Sequence, residues 1–163
     1  MKLSAKGIEL LKWVERLRLK PYDDQTGRTI TEWCTGATIG YGHLISFPDW
    51  PLYADGIDEK EADFLFAEDL APREAVVTGL VKVPLEQHQY DALVILLYNL
   101  GTRQLTDSSA LKLINDPAAK TGFSNLEKAW KAFNKSQGKV NQGLINRRVA
   151  EWNLYSKGVY EKW

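Results

Sequence analysis

Residues 14–27 read VERLRLKPYDDQTG and residues 37–43 read ATIGYGH, and a change of rhythm runs between the two stretches. Upstream, Ile8, Leu10, Leu11, Val14 and Leu17 recur on one broad arc at about 100° per residue, with Glu9, Lys12 and Arg16 opposite. That spacing predicts an amphipathic helix from an N-cap at Ser4 to about Arg18. From Tyr22 to about Leu44 the helical period stops. Thr26-Gly27 and Thr35-Gly36 read as turns, and the runs RTIT and ATIGY are rich in β-branched residues, which predicts a small antiparallel hairpin or three-stranded sheet. Glu15 stands at the junction. It projects between Leu11 and Ile8, at the margin of the buried side and away from the charged face.

Outward from the junction, Phe47-Pro48-Asp49-Trp50-Pro51 breaks regular structure. Asp58-x-x-Glu61 has the form of a capping box and opens a long helix over roughly 59–80, with an acidic first turn suited to the positive end of the helix dipole. The segment QHQYDALVILLYNLG is apolar nearly all round, so it predicts a buried central helix closed by Gly101. Ser108 caps a short helix stopped by Asp116-Pro117, Ser124-x-x-Glu127 opens another, and NQGLINRRVAEWNLYS forms a last amphipathic one. The fold class is therefore α+β. A sheet-bearing lobe over about 19–58 joins through the helix at 59–80 to a helical lobe over about 81–163 that also takes in helix 4–18, and a polymer ligand is expected in a cleft between lobes.

The chain has 163 residues, 44% of them apolar and 26% charged, the balance of a folded globular domain. No apolar run approaches the roughly 18 residues of a membrane span, and charges every few residues in MKLSAKGIELLKWVER exclude a signal-peptide core. Synthesis in a cytoplasm with no targeting address is expected, and the single Cys34 excludes an intrachain disulfide. Net charge is zero but uneven: −7 over residues 49–74 and +6 over residues 120–163. A basic third of this kind meets either water or an anionic polymer.

Glu15, Asp24 and Thr38 together suggest chemistry. Cleaving a glycosidic bond takes one carboxyl kept protonated as general acid, and a second group that stabilises charge or activates water across the sugar. Desolvation beside Leu11 and Ile8 disfavours the ionised form of Glu15, while Asp24, on a Gly- and Thr-rich hairpin, stays ionised. From the residues alone, Glu15 also fits a helix-end ion pair with Arg18 or a C-terminal basic residue, and Asp23 and Asp24 also fit turn formers.

The pattern E-x-L-R-L-x-x-Y-x-D followed by T-I-G-x-G-H resembles the phage-type lysozymes of glycoside hydrolase family 24. Its carriers here are Glu15, Leu17, Arg18, Leu19, Tyr22 and Asp24, then Thr38, Ile39, Gly40, Gly42 and His43. Looser matches at Tyr98-Asn99-Leu100-Gly101, Gly143-Leu144 and Arg147-Arg148 extend the resemblance from about residue 5 to 155. It implies a lysozyme-like fold and an endolysin muramidase acting on peptidoglycan between N-acetylmuramic acid and N-acetylglucosamine. Glu15 is then the general acid, Asp24 and Thr38 hold the attacking water in an inverting displacement, and His43, Leu44, Tyr98 and Ser108 bind substrate. The partners expected are peptidoglycan glycan strands, with no cofactor, no metal, no nucleic acid and no stable membrane insertion. A monomer is expected, waiting in the host cytoplasm for a pore that admits it to the wall.

Departures from the family pattern are specific. Arg16 follows the Glu where the family commonly has Gly, and a helical wheel points it away from the site. TEWCTG lengthens the hairpin and offers Trp33 to wall or membrane, Asp23 adjoins Asp24, and TRQLTDSSALKLIN lacks an aromatic often found near Ser108. Other chemistries are weaker. Cys34 with His43 lacks thiolate activation, His43 and His88 make a poor metal pair, and Gly40-x-Gly42 is only a fragment of a phosphate loop. Trp130, Trp152 and Trp163 read as core rather than as a stack for single-stranded nucleic acid. A lytic transglycosylase and a non-catalytic wall-binding module remain as alternative functions.

Overall fold

The computed structural model describes all residues, Met1–Trp163. In chain order the elements are α1 (Ala5–Glu15), β1 (Arg18–Asp23), β2 (Ala37–Gly40), β3 (His43–Leu44), α2 (Trp50–Tyr53), α3 (Glu59–Leu80), α4 (Gln87–Leu100), α5 (Thr102–Thr106), α6 (Ser109–Asn115), α7 (Leu126–Lys131), β4 (Lys135–Ser136), β5 (Lys139–Val140) and α8 (Gln142–Lys157). The chain forms two compact units. One is Lys12–Ala71; the other joins Met1–Leu11 to Pro72–Trp163.

In the Lys12–Ala71 unit the sheet runs β1-β2-β3, antiparallel throughout, with β2 central. Every residue of β2 is buried, and Ala37 and Ile39 join Ile45 and Leu65 in a small core. Ile30, Trp33, Cys34, Trp50, Tyr53 and Ile57 pack on that core, so the inserted Thr31–Gly36 loop is anchored from inside. Trp33 Nε1 donates to the Ile45 carbonyl at 2.9 Å, and its ring meets Phe47 edge-on. β1 carries Pro21, which an edge strand tolerates, and its register slips between Arg18 and Tyr22.

Two expectations change here. RTIT is not a strand. It meets β1 through one bridge between Thr29 and Tyr22, with Asp23 N–H donating to the Arg28 carbonyl at 2.9 Å and Ile30 N–H to the Pro21 carbonyl at 3.0 Å, and Ile30 packs on the core. Helix α1 ends at Glu15 rather than Arg18: Arg16 adopts φ 56°, and its N–H closes the helix on the Lys12 carbonyl at 3.1 Å. The helical wheel therefore does not extend to Arg16.

The Asp58–Glu61 capping box is formed, each side chain accepting from the other's backbone N–H at 2.8–2.9 Å. Helix α3 begins in this unit and continues past Pro72 into the other.

In the second unit α4 is buried from Tyr90 to Tyr98 and packs against α8, while α7 packs against both α6 and α8. Ser4 caps α1, accepting from Gly7 N–H at 3.0 Å. Trp130 is fully buried, edge-on to Trp152 and tilted against Tyr155, and Trp152 and Tyr155 stack on each other. Asn125, not Ser124, caps α7 by accepting from Lys128 N–H at 2.9 Å. The short elements α2, α5, β4 and β5 are too brief for periodicity to announce. No helix is long and apolar enough to cross a membrane.

Candidate active site

The three candidate groups for chemistry, Glu15, Asp24 and Thr38, all belong to the Lys12–Ala71 unit. Glu15 is the last residue of α1 and is half-buried. The left-handed Arg16 turns the chain at once into β1, so the carboxyl sits at a helix end beside the sheet. On β1, Tyr22 pairs directly opposite Thr38 of β2, and Thr38 in turn pairs opposite Leu44 of β3. Directly opposed residues share a face, so Tyr22, Thr38 and Leu44 form one row across the sheet. Thr38 is buried in that row, while Leu44 is 64% exposed.

Tyr22 reports on its neighbours. Its phenol is pushed up first by burial, then by the negative charges of Glu15 and Asp24, with Arg18 pulling the other way. The Arg18 guanidinium lies 4.5 Å over that ring and reaches the Gly27 carbonyl at 3.3 Å, which braces the hairpin.

The adjacent aspartates divide their work. Asp23 Oδ1 accepts from Gln25 N–H at 3.0 Å and Oδ2 from the Thr26 hydroxyl at 2.8 Å, a local turn that holds the Asp23 carboxyl below its ordinary range. Asp24, exposed, directs its carboxylate over Gly36: a Cβ on Gly36 would lie 2.3 Å from Asp24 Oδ1. Asp24 N–H donates to the Gly36 carbonyl at 3.1 Å, and the Thr38 hydroxyl donates to that same carbonyl at 2.9 Å.

His43 is held by Asp69, Nδ1 donating to Oδ2 at 3.0 Å, and its ring meets Tyr53 edge-on. Cys34 is packed against the core, which accounts for it without chemistry. Gly40 and Gly42 adopt φ of 66° and 92° around a two-residue turn, so their backbone, more than any close approach, asks for glycine.

Tyr98 and Ser108 lie in the other unit. The Arg73 guanidinium stacks 4.2 Å over the Tyr98 ring. The Ser108 hydroxyl caps α6, accepting from Leu111 N–H at 3.0 Å and donating to the Leu105 carbonyl at 2.7 Å. No group of three or more His, Cys, Asp or Glu side chains is arranged to hold a metal ion.

Residues 12–151 match the family described as Phage lysozyme. The chain belongs to the phage lysozyme family. Among phage lysozyme relatives, the endolysin of Acyrthosiphon pisum secondary endosymbiont phage 1 is 36% identical over 155 residues, covering 95% of this chain and 98% of that one. The chain spans 56% and 55% of two further, longer endolysins. Among solved structures, the endolysin from Escherichia coli O157:H7 phage FAHEc1 superposes with a TM-score of 0.79 at 32% identity, covering 99% of this chain and 98% of that chain. The muramidase domain of SpmX from Asticaccaulis excentricus gives 0.73 at 30%, over 96% and 98% of the two chains. The α+β, lysozyme-like fold expected for a phage lysozyme is the one observed.

Sequence reading did not find the part played by Gly36 in this phage lysozyme. Its only signal was a Thr-Gly pair, which reads as a turn. Arg18, weighed as an ion-pair partner of Glu15, is engaged with Tyr22 and Gly27.

Proposed function

We propose that this chain is an endolysin muramidase that hydrolyses the β-1,4 bond between N-acetylmuramic acid and N-acetylglucosamine in peptidoglycan, with inversion at the anomeric carbon. The coarser part, a lysozyme-type hydrolase of the bacterial cell wall, has the support of the family match and of endolysin and muramidase relatives across nearly the whole chain. The bond and the step are our reading of the residues.

In that reading Glu15 protonates the departing glycosidic oxygen, and Asp24 accepts a proton from water on the opposite face of the sugar, with Thr38 fixing that water. Inverting sites keep their carboxyls roughly 6.5–9.5 Å apart so that water fits. The observation that carries the reading is geometric: in the unit that holds Glu15, one carbonyl, that of Gly36, accepts from both the Asp24 N–H and the Thr38 hydroxyl. Glu15 on a half-buried helix end and Asp24 on an exposed turn meet the need for unlike environments. Leu44, in the row with Thr38, and His43 beside it on β3 are proposed substrate contacts, as are Tyr98 and Ser108 by the family resemblance.

Purified protein and its Glu15→Gln variant, incubated with purified peptidoglycan, test the proposal. Wild type is expected to release fragments with new reducing N-acetylmuramic acid ends in the α configuration, and Glu15→Gln to release none while keeping the wild-type circular dichroism spectrum. Anhydro sugars in place of reducing ends would make the enzyme a transglycosylase. Binding without any product from wild type would leave only a wall-binding module.

A further inference from the structure

We infer that Gly36 is the positioning residue of the site, fixing Asp24 and Thr38 through one shared carbonyl and leaving empty, for the Asp24 carboxylate, the space a side chain would occupy. The inference rests on the reading of Asp24 and Thr38 given under Proposed function.

The Gly36 carbonyl accepts two hydrogen bonds, from Asp24 N–H at 3.1 Å and from Thr38 Oγ1 at 2.9 Å. A carbonyl oxygen has two lone pairs, and both are used. The two residues are far apart in sequence, yet a single atom sets their separation. The second device is an absence. A Cβ at Gly36 would fall 2.3 Å from Asp24 Oδ1, a distance that real Cβ atoms do not sustain, and a tight 3.2 Å from its Cγ, so any side chain there moves the carboxylate. Gly27, in the same hairpin, is the contrast: its φ of +69° is also left-handed, as Gly36 is at +92°, but a Cβ on Gly27 meets nothing within 4 Å.

The shared carbonyl also decides how water is held. Thr38 has one hydroxyl proton, and Gly36 takes it. Toward solvent Thr38 therefore offers only lone pairs, and so does an ionised Asp24. A water seated between them donates both its protons, one to each residue, and its own lone pair is turned outward to the anomeric carbon. As the water oxygen bonds to that carbon, the bond to the glycosidic oxygen breaks and Glu15 protonates the departing oxygen. The water proton facing Asp24 transfers to Asp24, and Thr38 keeps its own. No outside reagent enters.

Steady-state turnover of labelled peptidoglycan by wild type, Gly36→Ala, Gly27→Ala, Asp24→Asn and the Gly36→Ala/Asp24→Asn double variant tests this, with thermal unfolding of each. Misplacing a reacting group by about 1 Å costs on the order of 100-fold, so Gly36→Ala is expected to lower kcat by that factor with KM nearly unchanged. Gly27→Ala is expected to lose stability through the same class of backbone strain and keep kcat. On top of Asp24→Asn, Gly36→Ala is expected to cost nothing more, the non-additivity of groups acting together.

Wild-type kcat in a folded Gly36→Ala, with Asp24→Asn inactive, overturns the role of Gly36 and leaves the proposed function standing. Wild-type kcat in Asp24→Asn overturns the underlying reading itself. An equal loss from Gly36→Ala with and without Asp24 reduces Gly36 to a structural turn and overturns the inference. Should Gly36→Ala fail to fold, Gly36→Asn decides, since Asn tolerates a left-handed φ yet carries the Cβ that meets Asp24: a kcat loss of the same size is expected, and wild-type kcat overturns the inference.

Discussion

Arg16 adopts φ 56° immediately after the last residue of α1, a backbone conformation that costs a side-chain-bearing L-residue roughly 1–2 kcal/mol and glycine far less. Glycine is also what the phage lysozyme pattern commonly places there. Arg16→Gly is expected to stabilise the fold by about 1 kcal/mol, measured as a rise in the urea midpoint; a fall would mean that the arginine side chain makes contacts worth more than the strain. Asp23 and Asp24 make a second residue-scale contrast. Asp23 is occupied by its turn, so Asp23→Ala is expected to keep turnover, whereas Asp24→Asn loses it. Because the Asp23 carboxyl is held below its ordinary value, its contribution to stability is present above the ordinary carboxylate range and disappears as pH falls through its folded value. Acid unfolding of Asp23→Ala should accordingly show a shallower loss than wild type. The sequence offered two adjacent carboxylates and a spacing that favoured the second. What separated them, hydrogen bonds to Gln25 and Thr26, is a matter of side-chain direction that no spacing encodes.

At the scale of elements, the legible features were those with local chemistry. Asp58 and Glu61 announced the start of α3, and Gly101 announced the end of α4, because each satisfies backbone groups within one turn of itself. Asp58→Ala is expected to cost about 1 kcal/mol in thermal or urea unfolding. Ser108→Ala should cost a similar amount, about 1 kcal/mol, with most of it restored by Asp, another good cap; no recovery would mean that the bond to Leu105 matters more than the cap. The misread elements depended on something distant or very short. RTIT has strand composition, but its pairing with β1 is limited to a single bridge at Thr29. The cap of α7 shifted by one residue because Ser124 and Asn125 are both competent and adjacent. The apolar arc of α1 continued to Leu17 on paper, while the helix stopped at Glu15 so that Arg18 could open the sheet.

Across the whole molecule, the second unit is tied together by buried charge. Glu151 is fully buried between Arg147 Nε at 2.9 Å and Arg148 Nε at 3.0 Å, and Arg148 also donates to Asn99 at 2.6 Å. Burial pushes the Glu151 carboxyl up, against the pull of both arginines. Glu151→Ala leaves those cations buried without it and is expected to cost about 3–5 kcal/mol in denaturant unfolding, the usual penalty for half a buried pair. A second tie is the fully buried Asp91, which accepts from Ser4 N–H at 3.0 Å, from the Ser4 hydroxyl, from Gln87 at 2.8 Å and from the Tyr160 hydroxyl at 2.6 Å. Burial and that carboxylate raise the Tyr160 phenol to about 12. Its stabilising share is therefore complete below the ordinary tyrosine range and is lost as pH climbs toward 12, so Tyr160→Phe should flatten alkaline unfolding in that window. Asp91 thereby fastens the region near each terminus to the N-terminal half of α4, and residues 12–71 are threaded into the chain between two parts of the other unit. Tension applied at the two termini would accordingly load the Ser4–Asp91–Tyr160 clasp first. In a force-extension experiment the sheet-bearing segment would stay mechanically sheltered until that clasp gave way.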